Sequence, residues 1–71
     1  MNATNQFRAG IREASRITGI STRQASLKAG FNENQLNRFL TAQTDIGLQT
    51  LERICLDGFG MKWTTIYELG K

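Results

Sequence analysis

The chain contains no histidine and no proline, and its only cysteine is Cys55. Without histidine there is no imidazole for acid–base work near neutral pH or for metal ligation. A lone cysteine excludes an internal disulfide and every site built on paired cysteines. The absence of proline favours helices joined by short turns. No apolar run approaches the ~18 residues of a membrane span. The opening Met1-Asn-Ala-Thr-Asn-Gln6 has neither the basic nor the apolar region of a signal peptide. A cytoplasmic protein without membrane association is expected. At 71 residues there is room for one domain, taken as residues 1–71, and little room for a pocket of roughly a few hundred Å³. No spacing of carboxylates or lysines suggests a catalyst. The chain is read as a non-enzyme with no cofactor, metal or small-molecule ligand.

What is present is enough for a core: 39% of residues are hydrophobic and 21% charged, too apolar for a disordered tail. Nine basic and six acidic residues leave a net charge of +3. The charge is unevenly spread. Residues 1–30 hold Arg8, Arg12, Arg16, Arg23 and Lys28 against Glu13 alone, whereas residues 41–71 are slightly acidic. One basic side can face phosphates. The same residues also suit a solvated helix face, and Arg12 and Arg16 in particular read as solvated.

Phe7, Ile11, Ala14 and then Ile17 or Thr18 fall at the spacing of an amphipathic helix over residues 5–18, stopped by Gly19. Ser21 or Thr22 is the N-cap of a second helix ending at Ala29, with small inward residues Ala25, Ser26 and Ala29, and with Leu27 off that face. Asn32, with Gln35 three places on, forms a loose capping box for a helix over 33–40, whose apolar stripe is Leu36, Phe39 and Leu40. Residues 41–47 read as a loop. Leu48, Leu51, Ile54 and Cys55 mark a fourth helix over 48–57, broken by Gly58 and Gly60, with Cys55 an inert buried thiol. Thr64 caps a short fifth helix carrying Ile66, Tyr67 and Leu69. The expected fold is an all-α compact bundle of about five short helices.

Residues 22–40 are two short helices meeting at Ala29-Gly30-Phe31-Asn32, the arrangement of a helix-turn-helix. The stretch Ser21-Thr-Arg-Gln-Ala25-Ser26-Leu-Lys-Ala29-Gly30-Phe31-Asn-Glu-Asn-Gln-Leu36-Asn-Arg-Phe39-Leu40 resembles the lambda-repressor-like (Cro/cI-type, XRE) DNA-binding domain. Leu48-Gln-Thr50-Leu51-Glu-Arg-Ile54-Cys55 is similar to that family's fourth helix, Met61-Lys-Trp63-Thr-Thr-Ile66-Tyr67-Glu68-Leu69 to its fifth, and residues 5–20 to its first. There are three departures. Ser26 stands where alanine is usual, Thr22 where glutamine is frequent (Gln24 is the substitute), and Glu33 puts an acid at the first exposed position of the recognition helix.

The resemblance implies a sequence-specific regulator of transcription, a bacterial or phage repressor, with helix 33–40 in the major groove. Glu33, Asn34, Gln35, Asn37 and Arg38 would read bases: arginine suits guanine, asparagine or glutamine suits adenine, and Glu33 either accepts from cytosine N4 or acts as a plain first-turn acid. Arg8, Thr22, Arg23, Gln24, Thr41, Gln43 and Thr44 would hold phosphates. A homodimer on a pseudo-palindromic operator in double-stranded DNA is implied, with Met61, Trp63, Ile66 and Tyr67 as pairing candidates. Trp63 is equally the large residue a small core needs. Both a whole regulator and the N-terminal domain of a longer repressor fit, the ending Glu68-Leu-Gly-Lys71 suiting the start of a hinge. The competing expectation is a protein–protein module on the same fold, of antitoxin or anti-repressor type.

Overall fold

The computed structural model describes residues 3–41 and 46–71. Five α-helices follow one another: α1 (Ala3–Thr18), α2 (Thr22–Lys28), α3 (Gln35–Leu40), α4 (Leu48–Arg53) and α5 (Trp63–Leu69). α4 runs on without a break into a π-helical segment, Ile54–Phe59. No strand occurs among the described residues. The fold is therefore the expected all-α bundle. Its radius of gyration of 10.4 Å is close to the ~11 Å of a compact chain of this length. No helix among the described residues is long and apolar enough to cross a membrane.

One core holds the bundle together. Ile11, Ala14, Ala25, Leu36, Ile54, Cys55 and Ile66 are fully buried, with Phe39, Leu40, Leu51 and Phe59 nearly so. On α1 the stripe Phe7, Ile11, Ala14 ends at Thr18 rather than Ile17, which stays 51% exposed. Thr18 turns inward because its hydroxyl serves two backbone groups. It donates to the Ala14 carbonyl at 2.8 Å and accepts from the Ile20 N–H at 3.2 Å.

α1 and α5 pack antiparallel at very short range. Gly10 lies against the Ile66 backbone and Gly70 against that of Gln6. A Cβ at Gly10 would overlap the Ile66 carbonyl, so the crossing tolerates no side chain there. Beside it the Gln6 amide donates to the Tyr67 carbonyl at 3.0 Å, and the Phe7 ring sits 4.7 Å from that of Tyr67 and 5.7 Å from that of Trp63.

Two expected boundaries shift in the C-terminal half. The fourth helix does not break at Gly58 but winds on to Phe59. A π-helix closes i→i+5 bonds, which keeps residues four and five apart on one face, so Ile54, Cys55, Gly58 and Phe59 are all buried. Gly58 abuts α2 there: a Cβ would come within 2.6 Å of the Ala25 carbonyl oxygen. The fifth helix begins at Trp63, with the extended Lys62 as N-cap and no capping side chain, so Thr64 lies inside its first turn instead of capping it. Burial of Ile66 against Gly10 sets that register.

Candidate nucleic-acid interface

The α2–α3 region is built from local hydrogen bonds. Ser21 is the N-cap of α2: its hydroxyl accepts from the Gln24 N–H at 3.1 Å and the Gln24 side chain accepts from the Ser21 N–H at 2.9 Å, a complete capping box. α2 ends in a Schellman turn. The Phe31 N–H reaches the Ser26 carbonyl at 2.9 Å and the Gly30 N–H the Leu27 carbonyl at 3.0 Å. Gly30 has φ +83°, the left-handed region that glycine enters without a Cβ penalty.

α3 starts later than the sequence suggests. Asn32 is not its N-cap, and Gln35 does not close a capping box. The Asn32 carboxamide oxygen instead accepts from the Asn34 N–H at 2.8 Å, an Asx turn, so residues 33 and 34 form a turn and the helix begins at Gln35. The Gln35 N–H is served by the Asn32 carbonyl at 3.0 Å, and that of Leu36 from α2. The buried Ser26 hydroxyl donates to the Thr22 carbonyl at 3.0 Å and accepts from the Leu36 N–H at 3.3 Å. Ser26 thus ties the two helices together.

α3 turns Leu36, Phe39 and Leu40 inward. Its opposite face is a stripe of exposed Asn34, Asn37, Arg38 and Thr41, at the i, i+3, i+4, i+7 spacing of one helix side. Gln35 is half-buried at the edge. The Thr41 hydroxyl donates to the Asn37 carbonyl at 3.0 Å, closing the helix end while its side chain stays exposed. The Arg38 side chain makes no ion pair or hydrogen bond among the described residues. Glu33, half-buried in the turn, receives a hydrogen bond from Arg23 of α2, Nε to Oε2 at 2.7 Å. Two expected DNA contacts are therefore paired with each other. Thr22 and Gln24 flank the same end of α2, with the Gln24 side chain held in the capping box. Gln43 and Thr44 lie outside the described residues.

The arginines of α1 have partners that side-chain patterning did not indicate. Arg8 donates from Nε to the Phe39 carbonyl at 2.8 Å and from Nη1 to the Asn5 side chain at 3.1 Å, and its guanidinium lies 4.9 Å from the centre of the Phe39 ring. Arg12 donates from Nη2 to the Leu40 carbonyl at 3.0 Å. Both cations thus meet the C-terminal carbonyls of α3, where the helix dipole favours positive charge. Arg12 is a helix clamp rather than a merely solvated residue. Arg16 does stay at the surface, bound to Glu13. That hydrogen bond holds the Glu13 carboxyl below its ordinary range and raises Arg16.

Elsewhere, burial, helped by the negative charge of Glu52, pushes the Cys55 thiol up to about 12, so it stays protonated and inert near neutral pH. No cluster of three potential metal ligands exists among the described residues. The pairing candidates near α5 need one correction. Ile66 is fully buried and offers nothing to another chain, because the α1–α5 crossing uses it. Met61, Trp63 and Tyr67 are half-buried against the core, the two larger rings facing Phe7. Among the described residues the exposed large apolar side chains are instead Ile17, Leu27, Leu48 and Leu56, at 51–58%. Compared with protein-family models, with curated proteins and with solved structures, the chain matches none.

Proposed function

We propose that this chain is a sequence-specific double-stranded DNA-binding module, a transcriptional repressor whose α3 enters the major groove as the second helix of a helix-turn-helix. The observation that carries this reading is the exposed stripe Asn34, Asn37, Arg38, Thr41, with Arg38 unpaired among the described residues. An α-helix with its side chains is about 10–12 Å across, which matches a major groove about 12 Å wide. Arg38 suits guanine O6 and N7, and Asn34 and Asn37 suit adenine N6 and N7. Thr22, Gln24 and Thr41 at the helix ends are neutral groups of the kind that contact phosphates. One short helix reads few base pairs, so the working form is a homodimer on half-sites about one helical turn apart.

A second reading, a protein–protein module, draws on the exposed Leu27 and Ile17 and on the neutralisation of Arg23 by Glu33. Fluorescence anisotropy with a pool of random duplexes, at several salt concentrations, separates the two. Saturable binding to a subset, falling steeply with salt, supports the DNA reading. Arg38→Ala should then weaken the selected duplex by roughly tenfold or more. No binding at low salt at ~10⁻⁴ M protein, where non-specific contact shows, favours the protein partner.

A further inference from the structure

Among the described residues Glu33 is the one acid beside the exposed stripe, and folding does not account for it. It precedes the N-cap Asn34, and the first turn of α3 contains no acidic residue. The donors at this helix end are served by Asn32 and Ser26. Its pairing with Arg23 is exposed, at 69% for the arginine side chain and 43% for the glutamate, and exposed ion pairs contribute little to stability. What the pair does is aim and neutralise a carboxylate. Oε2 is taken by Arg23, while Oε1 accepts no hydrogen bond among the described residues.

We infer that Glu33 reads a cytosine through Oε1, and that Arg23 is the positioning residue that makes this possible rather than a phosphate contact. The inference rests on the DNA-binding reading above. A bare carboxylate entering the groove would be repelled by the phosphates; Arg23 removes that net charge and fixes one oxygen. A carboxylate can only accept. In the major groove cytosine offers the N4 donor, whereas guanine and thymine offer only acceptors for hydrogen bonds, and adenine mixes a donor with an acceptor. The pair therefore selects against guanine and thymine most strongly.

The test selects duplexes from a random pool with the full chain, then titrates the selected duplex and its single-base variants at several salt concentrations. Wild type, Glu33→Gln, Arg23→Met and Arg23→Lys are compared, with circular dichroism to check that each is folded. The wild-type half-site is expected to contain one position where replacing cytosine weakens binding by about tenfold. Glu33→Gln erases that preference alone. Arg23→Met reduces it several-fold at an unchanged salt slope, and Arg23→Lys restores it. If Arg23→Met instead lowers the slope of log K against log salt by ~0.9 with the cytosine preference intact, Arg23 is a phosphate contact and the inference is wrong. It is equally wrong if Glu33→Gln selects the wild-type site. If neither wild type nor any variant retains a duplex at low salt, the DNA reading itself has failed, and the inference with it.

Discussion

Ser26→Ala is the substitution that most directly probes how α3 is held. Alanine has the better helix propensity, by roughly 0.5 kcal/mol, and the methyl group fits wherever the hydroxyl did. On local grounds the change should stabilise α2. The structure reverses that sign. Ser26 is fully buried, and its Oγ is the acceptor for the Leu36 N–H at 3.3 Å. The Thr22 carbonyl loses a donor but keeps its place in the helix ladder, whereas the Leu36 N–H, in the first turn of α3, is left without an acceptor. An orphaned buried donor costs about 1–3 kcal/mol. The bond is long, so about 1.5–2 kcal/mol is appropriate, and the net loss after the propensity gain is about 1–1.5 kcal/mol. For a domain of this size that is a fall in Tm of about 4–12 °C. Urea unfolding followed by Trp63 fluorescence gives the free energy. Amide exchange at Leu36 gives the local cause, since this N–H should exchange faster while Leu51, in α4, is protected as before. A variant as stable as wild type or more so, with Leu36 exchange unchanged, would refute the argument that this hydroxyl caps α3.

Gly10→Ala should also reverse its usual sign: the ~1 kcal/mol helical gain is expected to be outweighed by overlap with the Ile66 carbonyl, and a thermal melt should show a lower Tm. Arg8→Met keeps the apolar stem but removes the charged donor to the Phe39 carbonyl; a loss of about 1 kcal/mol in urea, with the salt dependence of DNA binding unchanged, is expected of a clamp, whereas a phosphate contact would lower the salt slope by ~0.9. Cys55 makes alkaline stability fall. Above its ordinary value of 9.0 the unfolded thiol loses its proton while the folded one keeps it up to about 12. The folded state then binds more protons, and stability drops as pH rises through that window by up to ~1.4 kcal/mol per unit. Urea titrations from pH 8 to 11 should show this extra slope in wild type and not in Cys55→Ala.

The parts of the fold legible in the sequence are those whose hydrogen bonds close within four or five residues. Ser21, one of two adjacent candidates, signals the cap of α2 by residue type, and Gly30 signals the turn. Leu36, Phe39 and Leu40 signal the buried side of α3 by periodicity. The start of α3 was not legible, because asparagine can accept from the residue two places on or three, and its type does not distinguish the Asx turn from the N-cap. What decided between them was a hydroxyl ten residues upstream. The partners of Arg8 and Arg12 were hidden for a related reason. Their i, i+4 spacing is visible, but their acceptors are backbone carbonyls 31 and 28 residues away, and a carbonyl leaves no mark on residue type. Gly10, a poor helix former inside a periodic helix, is a readable hint only to the α1–α5 crossing. Ile66 was misassigned because apolar spacing shows that a residue is buried, not whether its own chain or another buries it.

The two ends of α3 explain why its outer face is free to specify something. Isolated helices shorter than ~12–15 residues are marginal in water, so the 6-residue α3 is positioned by its neighbours. Ser26 and Asn32 supply acceptors at its N-terminal end, and Arg8 and Arg12 supply donors at the other. Leu36, Phe39 and Leu40 fill the core between. None of these groups lies on the stripe of Asn34, Asn37, Arg38 and Thr41, and of that stripe only Thr41 spends its side chain on the helix backbone. Substitutions at Asn37 and Arg38 should therefore leave stability within ~0.5 kcal/mol, the range of ordinary surface changes, while Ser26, Arg8 and Arg12 carry the cost of holding the helix. Placement is thereby assigned to side chains other than those of the stripe, so the sequence on the outer face can change without the helix moving.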